Sequence, residues 1–279
     1  PTGEEDDRVR RLSRWAEMLG TELDYDYRVQ GMERGNDLLR YSSARVLGGC
    51  SAHNTGIAFQ APDWDLNDWA SLGASGWDAN ACAPYFEMVY SRVNVEGPAS
   101  HHPWTSAFVE AGESLGLPRT AYTSKNVREG IGWFQVNKRG DMRESSADAY
   151  LFPMEALPTN LTILTGRTVS KLLFDDNLRA TGAQANEERF AANKEVVLCA
   201  GTFGSSKLLL LSGIGPASDL RTLGIEPIAE VPGVGQHLID HPEGIVLWEA
   251  REAVDERSSH WESGAFIRLE DEVEHPEPM

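Results

Sequence analysis

Between residues 195 and 215 an apolar run, a group of small residues and a leucine-rich run follow one another, and this order limits the fold more than any other feature. Residues 195–199 predict a strand, residues 200–204 a turn, and residues 205–212 a helix that Gly213 is placed to end. Such a corner brings backbone N–H groups to one helix N-terminus, where an anion or a cofactor can bind. An ordinary strand–turn–helix corner has the same pattern, so elementary physics leaves both interpretations open.

The preceding stretch carries the pattern of a small antiparallel sheet. Short strands are predicted at residues 161–164, 169–174 and 180–185, and the polar residues 175–177 predict a turn between the last two. An amphipathic helix is predicted over residues 9–19, because apolar residues recur there at helical spacing: Val9, Leu12, Trp15, Ala16 and Leu19. Further helices are predicted after a cap at Asp78 and over residues 105–115. The mixture predicts an α/β or α+β fold.

Charge and cysteine content exclude some classes of function. The net charge of −18 argues against nucleic acid and favours a cationic small molecule, although acidity also serves solubility. No apolar run approaches the roughly 20 residues that a membrane-spanning helix requires. The three cysteines, Cys50, Cys82 and Cys199, lack metal-ligand spacing, so we expect no metal and a cytoplasmic location.

Two motifs carry a resemblance to a known family. Residues 201–215, GTFGSSKLLLLSGIG, match at every position a signature of the glucose-methanol-choline oxidoreductase family. Residues 44–54, ARVLGGCSAHN, resemble the other signature, and residues 140–151 resemble a further stretch of the family. The resemblance implies a FAD-binding fold. The residues that it implies for contact with FAD are Arg45, Gly48, Gly49, Cys50, Ser51, His53, Asn54, Val169, Ala200 and Gly201.

Two departures from the general signature narrow the resemblance. Cys50 and His53 replace the usual residues and resemble the choline-oxidising members of the family, in which this histidine is joined covalently to FAD. The resemblance therefore implies covalent attachment at His53. A histidine held by hydrogen bonds beside a non-covalent flavin is the alternative.

The same members of the family imply a site for a cation. Glu243, in the stretch Pro-Glu-Gly, corresponds to a carboxylate that faces a trimethylammonium group, and Asn54 and Thr55 would lie near the reactive part of the flavin. Trp15 and Trp261 stand where cage aromatics are expected, and aromatic faces attract cations. The alternative is that both tryptophans belong to the core.

The resemblance also implies that the chain is an internal part of a larger fold. The Gly-x-Gly-x-x-Gly unit that holds the FAD pyrophosphate and the C-terminal segment with the catalytic histidine have no counterpart here. The implied FAD-binding part is residues 1–70 and 151–244, interleaved with a substrate-binding part, residues 71–150 and 245–279.

The implied reaction is oxidation of a primary alcohol, with choline or another quaternary ammonium alcohol as substrate and dioxygen as acceptor. A neutral alcohol, an aldehyde hydrate or another electron acceptor stays open. A different class of function is a catalytically incomplete fragment or subunit that binds flavin weakly or not at all. A homo-oligomer, or completion by another chain, is compatible both with an oxidising enzyme and with an incomplete fragment or subunit.

Overall fold

The computed structural model describes residues 2–29, 40–98, 102–122, 129–154, 156–241 and 243–267. The chain divides into two compact units, the first formed by Pro1–Ile163 with Glu249–Met279 and the second by Leu164–Trp248. The mixture of helices and short strands confirms the predicted class. The predicted division into FAD-binding and substrate-binding parts stays a prediction.

Within the described residues the α-helices are α1 (Asp7–Arg10), α2 (Asp63–Ser71), α3 (Ala79–Tyr90), α4 (Pro103–Ser114), α5 (Ser146–Tyr150), α6 (Gly201–Leu211) and α7 (Ala217–Thr222). Two 3-10 helices cover Leu12–Met18 and Gly49–Ala52. The strands there are β1 (Tyr27–Arg28), β2 (Arg40–Tyr41), β3 (Val95–Glu96), β4 (Gly130–Trp133), β5 (Val136–Arg139), β6 (Met142–Arg143), β7 (Val169–Phe174), β8 (Ala180–Ala185), β9 (Glu188–Ala191), β10 (Ile214–Gly215), β11 (Ala229–Glu230) and β12 (Ser263–Phe266).

The first unit is built from small antiparallel sheets. Strands pair in the orders β3-β5-β6, β4-β12 and β1-β2. The β4-β12 pairing brings the last described strand back onto the middle of the chain. Tyr122 packs against Phe59, Phe134 and Phe266 there, and its hydroxyl accepts a hydrogen bond of 3.2 Å from the Phe266 N–H. This aromatic cluster forms one of the unit's packed regions.

The N-terminal helix is not continuous. Instead of one helix over residues 9–19, α1 is followed by the 3-10 helix. A 3-10 helix has about three residues per turn, so Leu12, Trp15 and Met18 lie along one edge. Leu12 and Met18 are buried, whereas Leu19, which the α-helical spacing assigned to the apolar face, is 43% exposed. The prediction of one amphipathic helix is therefore wrong, because the period changes from 3.6 to 3.

Other local signals are confirmed. Asp78 caps α3 by accepting a hydrogen bond from the Ala81 N–H at 3.1 Å. The predicted helix over residues 105–115 is α4. In the second unit, β7, β8 and β9 form an antiparallel sheet, and Asp175 Oδ1 shapes the turn between β7 and β8 by accepting N–H bonds from Asn177 and Arg179.

Helix α6 is joined to β7 by a buried serine. Ser212 Oγ accepts a hydrogen bond of 2.8 Å from the Leu172 N–H and donates one of 2.6 Å to the Leu208 carbonyl. Gly213 follows with a φ of +87°, which confirms the predicted glycine at the helix end. Ser212 therefore joins the helix to the sheet, and Gly213 marks the point where the helix ends.

Two predicted strands are wrong. Residues 161–164 and 195–199 have no strand assignment, and no described residue pairs with them in a ladder. A strand exists only with a neighbour that takes its backbone hydrogen bonds, and a local apolar pattern does not supply one. Val197, in the second segment, has 72% of its surface exposed.

Helices long and apolar enough to cross a membrane are absent from the described part of the chain. The same residues contain no group of three or more His, Cys, Asp or Glu that would suit a metal ion.

Candidate functional site

Residues 45–55 form a turn followed by a single 3-10 helix, called here the His53 loop. Gly48 has a φ of +94° and Gly49 a φ of +57°, and L side chains rarely adopt such values. A Cβ at Gly48 would meet Ser145 Oγ at 3.2 Å and Ala52 Cβ at 3.3 Å. Glycine at position 48 is therefore favoured by the backbone, and a Cβ there would also have to displace its neighbours by a few tenths of an ångström.

Hydrogen bonds tie the His53 loop to the start of α5. Ser51 Oγ donates to the Gly48 carbonyl at 2.7 Å, and the Ser146 N–H donates to Ser51 Oγ at 2.9 Å. Ser145 caps α5 in a capping box with Asp148, which fixes the helix start that the loop rests on. The shape of the loop therefore depends on residues about 95 positions later in the chain.

One side of the loop is open. Gly49 and Cys50 are exposed, and a Cβ at Gly49 would meet no atom within 4 Å. Asn54 is exposed and its Oδ1 accepts a hydrogen bond of 3.0 Å from the Gly56 N–H, while Thr55 is half-buried. Arg45 is exposed, and its guanidinium lies 5.8 Å from the centre of the Tyr25 ring.

His53 lies on the covered side of the loop. The residue is 6% exposed, and Nε2 is buried without a hydrogen-bond partner in the described part of the chain. Burial lowers the pKa of His53, the Asp24 carboxylate opposes that shift, and the Arg143 guanidinium adds to it. The ring is therefore neutral at pH 7, and a neutral imidazole keeps a lone pair on one nitrogen.

Arg143 is a residue of this site that the sequence interpretation missed. It is 3% exposed and donates from Nη1 to the Ser51 and Asn54 carbonyls, at 3.3 and 2.5 Å. Its Nε donates to the Val9 carbonyl at 3.0 Å. The available signal was an arginine inside the family-like stretch 140–151, but local pattern does not reveal contacts with residues about 90 positions away.

The two candidate cage tryptophans are connected through the backbone. Trp15 is half-buried against the core cluster of Val9, Met18, Leu23 and Ala52. Its Nε1 donates to the Ser259 carbonyl at 3.1 Å, which brings Trp15 to the segment that carries Trp261. Trp261 itself is 39% exposed. Contact of either ring with a substrate stays a prediction.

The remaining candidate residues belong to the second unit. Ala200 and Gly201 are exposed at the N-terminus of α6, which has no side-chain cap, and Val169 is exposed at the start of β7. Glu243 is exposed in a stretch with no helix or strand assignment, and the preceding residue, 242, lies outside the described residues. His53, Trp15 and Trp261 belong to the first unit.

The His53 loop fits a flavin on three counts. It offers a neutral histidine with an unpartnered nitrogen, two glycines without side chains, and open space beside Gly49. An unsatisfied buried nitrogen costs about 1–3 kcal/mol, so a bonding partner for it would be favourable. Because protein atoms cover Nε2, bonding there requires the ring to turn toward the open side of the loop.

Comparison with known proteins agrees with the motifs. The family profile described as GMC oxidoreductase matches residues 30–243. The choline oxidase of Arthrobacter globiformis is 40% identical, over 97% of this chain and 54% of that protein. The mitochondrial choline dehydrogenase of Homo sapiens is 34% identical, over 88% and 48%. The crystal structure of pyridoxine 4-oxidase from Mesorbium loti matches with a TM-score of 0.82 at 27% identity, covering 96% of this chain and 56% of that one.

The chain spans about half the length of the curated relatives that it matches. The family match covers most of the chain, and both signature motifs lie inside it. These findings confirm the resemblance that the motifs implied: the chain belongs to the GMC family of oxidoreductases.

Proposed function

We propose that this chain forms part of a FAD-dependent oxidoreductase that oxidises choline or another quaternary ammonium alcohol. The observation that carries the proposal is His53, buried, neutral and with one unpartnered nitrogen at the end of a two-glycine turn. FAD, when bound, supplies the hydride acceptor for oxidation of the alcohol. The 40% identity to a choline oxidase supports the choice of substrate class.

His53 is the proposed point of covalent attachment, and the His53 loop is the surface that lies along the flavin ring. Its exposed face leaves room for a flat ring at Gly49, where a Cβ would meet no atom within 4 Å. The other residues proposed to contact FAD are Arg45, Gly48, Ser51, Asn54, Val169, Ala200 and Gly201.

Recognition of a quaternary ammonium group is proposed for Glu243, Trp15 and Trp261. A trimethylammonium group has no N–H to donate, so a carboxylate and aromatic faces are its natural partners, the latter at about 0.5–2 kcal/mol each. The net charge of −18 attracts a cation and supports the same choice over a neutral alcohol or an aldehyde hydrate. Asn54 and Thr55 are proposed to lie near the reactive part of the flavin.

Dioxygen is the proposed acceptor. The similar proteins include a choline oxidase and a choline dehydrogenase, so another electron acceptor is the alternative. A cytoplasmic location and a homo-oligomeric state stay predictions.

A second candidate is a subunit or incomplete fragment that binds flavin weakly or not at all. Two observations favour it: residues 195–199 have no strand partner among the described residues, and Leu247 and Trp248 are 87% and 85% exposed. An unpaired segment and an exposed apolar stretch are features that further polypeptide would cover.

The first experiment separates these candidates by the location of the flavin. The purified chain is incubated with FAD and freed of unbound FAD by gel filtration; it is then denatured in acid and filtered, and the absorbance of protein and filtrate is recorded. We expect flavin absorbance on the protein, located by mass mapping to the peptide that contains His53. The variant His53→Gln is expected to release all colour to the filtrate, and the control His241→Gln, at an exposed histidine, to behave as wild type.

Colour in the wild-type filtrate would leave a flavoprotein and reject the covalent bond. No colour in either fraction would reject the oxidase proposal for this chain and favour the second candidate. If colour is retained, calorimetric binding of choline and of its neutral isostere 3,3-dimethylbutan-1-ol tests the substrate class. Equal affinities for the two alcohols would reject the cation site.

A further inference from the structure

A buried positive charge lies beside the His53 loop. Arg143 is 3% exposed and takes part in no ion pair with the described residues. Burial lowers its pKa to about 10, an effect that the Asp148 carboxylate opposes, so the guanidinium stays charged at pH 7. Burying a cation without an ion-pair partner is strongly unfavourable.

Arg143 donates hydrogen bonds to the backbone on both sides of His53. Nη1 donates to the carbonyls of Ser51 and Asn54, which stand on either side of Ala52 and His53. Nε donates to the Val9 carbonyl, and the side chains of Val9 and Ala52 share one core cluster. The guanidinium is planar and rigid, so it fixes both ends of the segment that carries His53 relative to α1.

Two charged groups act on the His53 ring, Arg143 and Asp24. Burial has the largest effect on the pKa of His53 and lowers it, Asp24 raises it, and Arg143 lowers it. The Asp24 carboxylate accepts hydrogen bonds from the backbone N–H groups of Gly20, Asp26 and Ser43 and from the Ser42 hydroxyl. Those bonds hold Asp24 in place, so the arginine is the charge that disfavours a protonated His53.

We propose that Arg143 is the positioning residue of the His53 loop: it fixes the backbone on both sides of His53, from which the ring is presented for attachment of the flavin, and it keeps that ring uncharged. The proposal rests on the proposed function, because it assumes that His53 is the attachment residue. A merely structural arginine would join β6 to the loop without affecting the ring. In that case a neutral side chain of similar length would leave the titration of His53 unchanged.

The first test is the titration of His53 in the chain without flavin. Carbon-13 NMR of histidine-labelled protein follows the ring, and His53→Gln assigns its signal. In Arg143→Met we expect the titration midpoint of His53 to rise, because the opposing charge is gone. In Arg143→Lys, which keeps the charge, the midpoint should stay near that of wild type. Arg139→Met, an exposed arginine one strand away, is the matched control.

The second test is attachment of added FAD in air-saturated buffer. The new bond joins an imidazole nitrogen to a flavin carbon, and the two hydrogens released pass with their electrons to dioxygen, which becomes hydrogen peroxide. We expect the rate of attachment to fall about tenfold or more in both Arg143 variants, since neither keeps the planar guanidinium whose Nη1 donates to Ser51 and Asn54 while its Nε donates to Val9. Arg139→Met should attach FAD at the wild-type rate.

An unchanged His53 midpoint in a folded Arg143→Met chain, checked by circular dichroism, overturns the proposal. Wild-type rates of attachment in Arg143→Lys overturn it as well, and this variant decides the matter if the methionine variant does not fold. If wild-type chain attaches no FAD but the methionine variant raises the His53 midpoint, the proposed attachment is wrong while the effect of Arg143 on the ring stands.

Discussion

The His53 loop and the segment that carries Glu243 were both predicted from one family resemblance, yet the chain shapes them differently. The loop is held by Arg143, Ser146 and the capped start of α5, all distant in sequence. The Glu243 segment is exposed, with Ile239 89% exposed and a local hydrogen bond from the His241 N–H to Asp240. The loop proposed to contact flavin is therefore shaped by distant parts of this chain, whereas the described residues leave the segment proposed to recognise a cation uncovered.

The largest effect that this contrast predicts is at Gly48. The change Gly48→Ala places a Cβ against Ser145 Oγ and Ala52 Cβ at a φ of +94°, so we expect a loss of about 2–3 kcal/mol in the free energy of unfolding. Urea denaturation measures it.

The control is Gly49→Ala, where φ is +57°, inside the left-handed region, and the space is open. It should lose about 1 kcal/mol, from backbone strain alone. Equal losses in the two variants would mean that the loop is not packed against Ser145, and the contrast with the Glu243 segment would weaken.

The next effect is a dependence of stability on pH. Folding lowers the pKa of His53 from an ordinary value of 6.5, so the unfolded state binds more protons just below pH 6.5. Stability from this group is fully present above pH 6.5 and decreases as pH falls from 6.5 toward the folded pKa, by at most about 1.4 kcal/mol per pH unit.

Other groups also titrate with falling pH, so the comparison is between variants. Unfolding free energies of wild type and His53→Gln, measured from pH 7.5 to 5, should converge as pH falls, because only wild type carries the His53 term. The exposed-site variant His241→Gln should stay parallel to wild type. Parallel curves for His53→Gln would show that the ring is not buried neutral.

A smaller effect is expected at the helix that supports the loop. Ser145→Ala removes the cap of α5 and should reduce the free energy of unfolding by about 1 kcal/mol, seen as a lower urea midpoint. Ser114→Ala, at an exposed hydroxyl near the end of α4, should change it by less than about 0.5 kcal/mol. An unchanged midpoint in the Ser145 variant would mean that the capping box does not support the loop.

The smallest expected effect is at Glu243. Because the carboxylate is exposed, Glu243→Gln should change the free energy of unfolding by less than about 0.5 kcal/mol. An exposed ion pair contributes up to about 1 kcal/mol, so choline should bind the flavin-loaded variant less than about fivefold more weakly by calorimetry. A much larger loss would show that the segment is covered when choline binds, which would remove the contrast.

Local chemistry allowed several features to be predicted from the sequence. The Asp78 cap, the turn at Asp175 and the glycine after α6 each depend on a few neighbouring residues, and the structure confirms all three. The family motifs predicted the His53 loop through resemblance rather than through physics. They could not predict how the loop is held.

What could not be predicted depends on distant partners. Residues 195–199 have a strand pattern, but no described strand takes their backbone hydrogen bonds. The switch from α1 to a 3-10 helix depends on packing of Leu12 and Met18 against the unit rather than on helix propensity. Arg143 acts on residues 89 to 134 positions away, a separation that no local pattern reports.

The separation between Ser51 and Ser146 also sets an order of events during synthesis. A ribosome adds about 5–20 residues per second, so the 95 residues between these serines take roughly 5–20 s to appear. Until then the nascent His53 loop lacks Arg143, the Ser145 cap and the surface on which it rests. The loop therefore reaches its final shape only after α5 has emerged from the ribosome, and a chain that ends before residue 143 lacks the contacts that hold it.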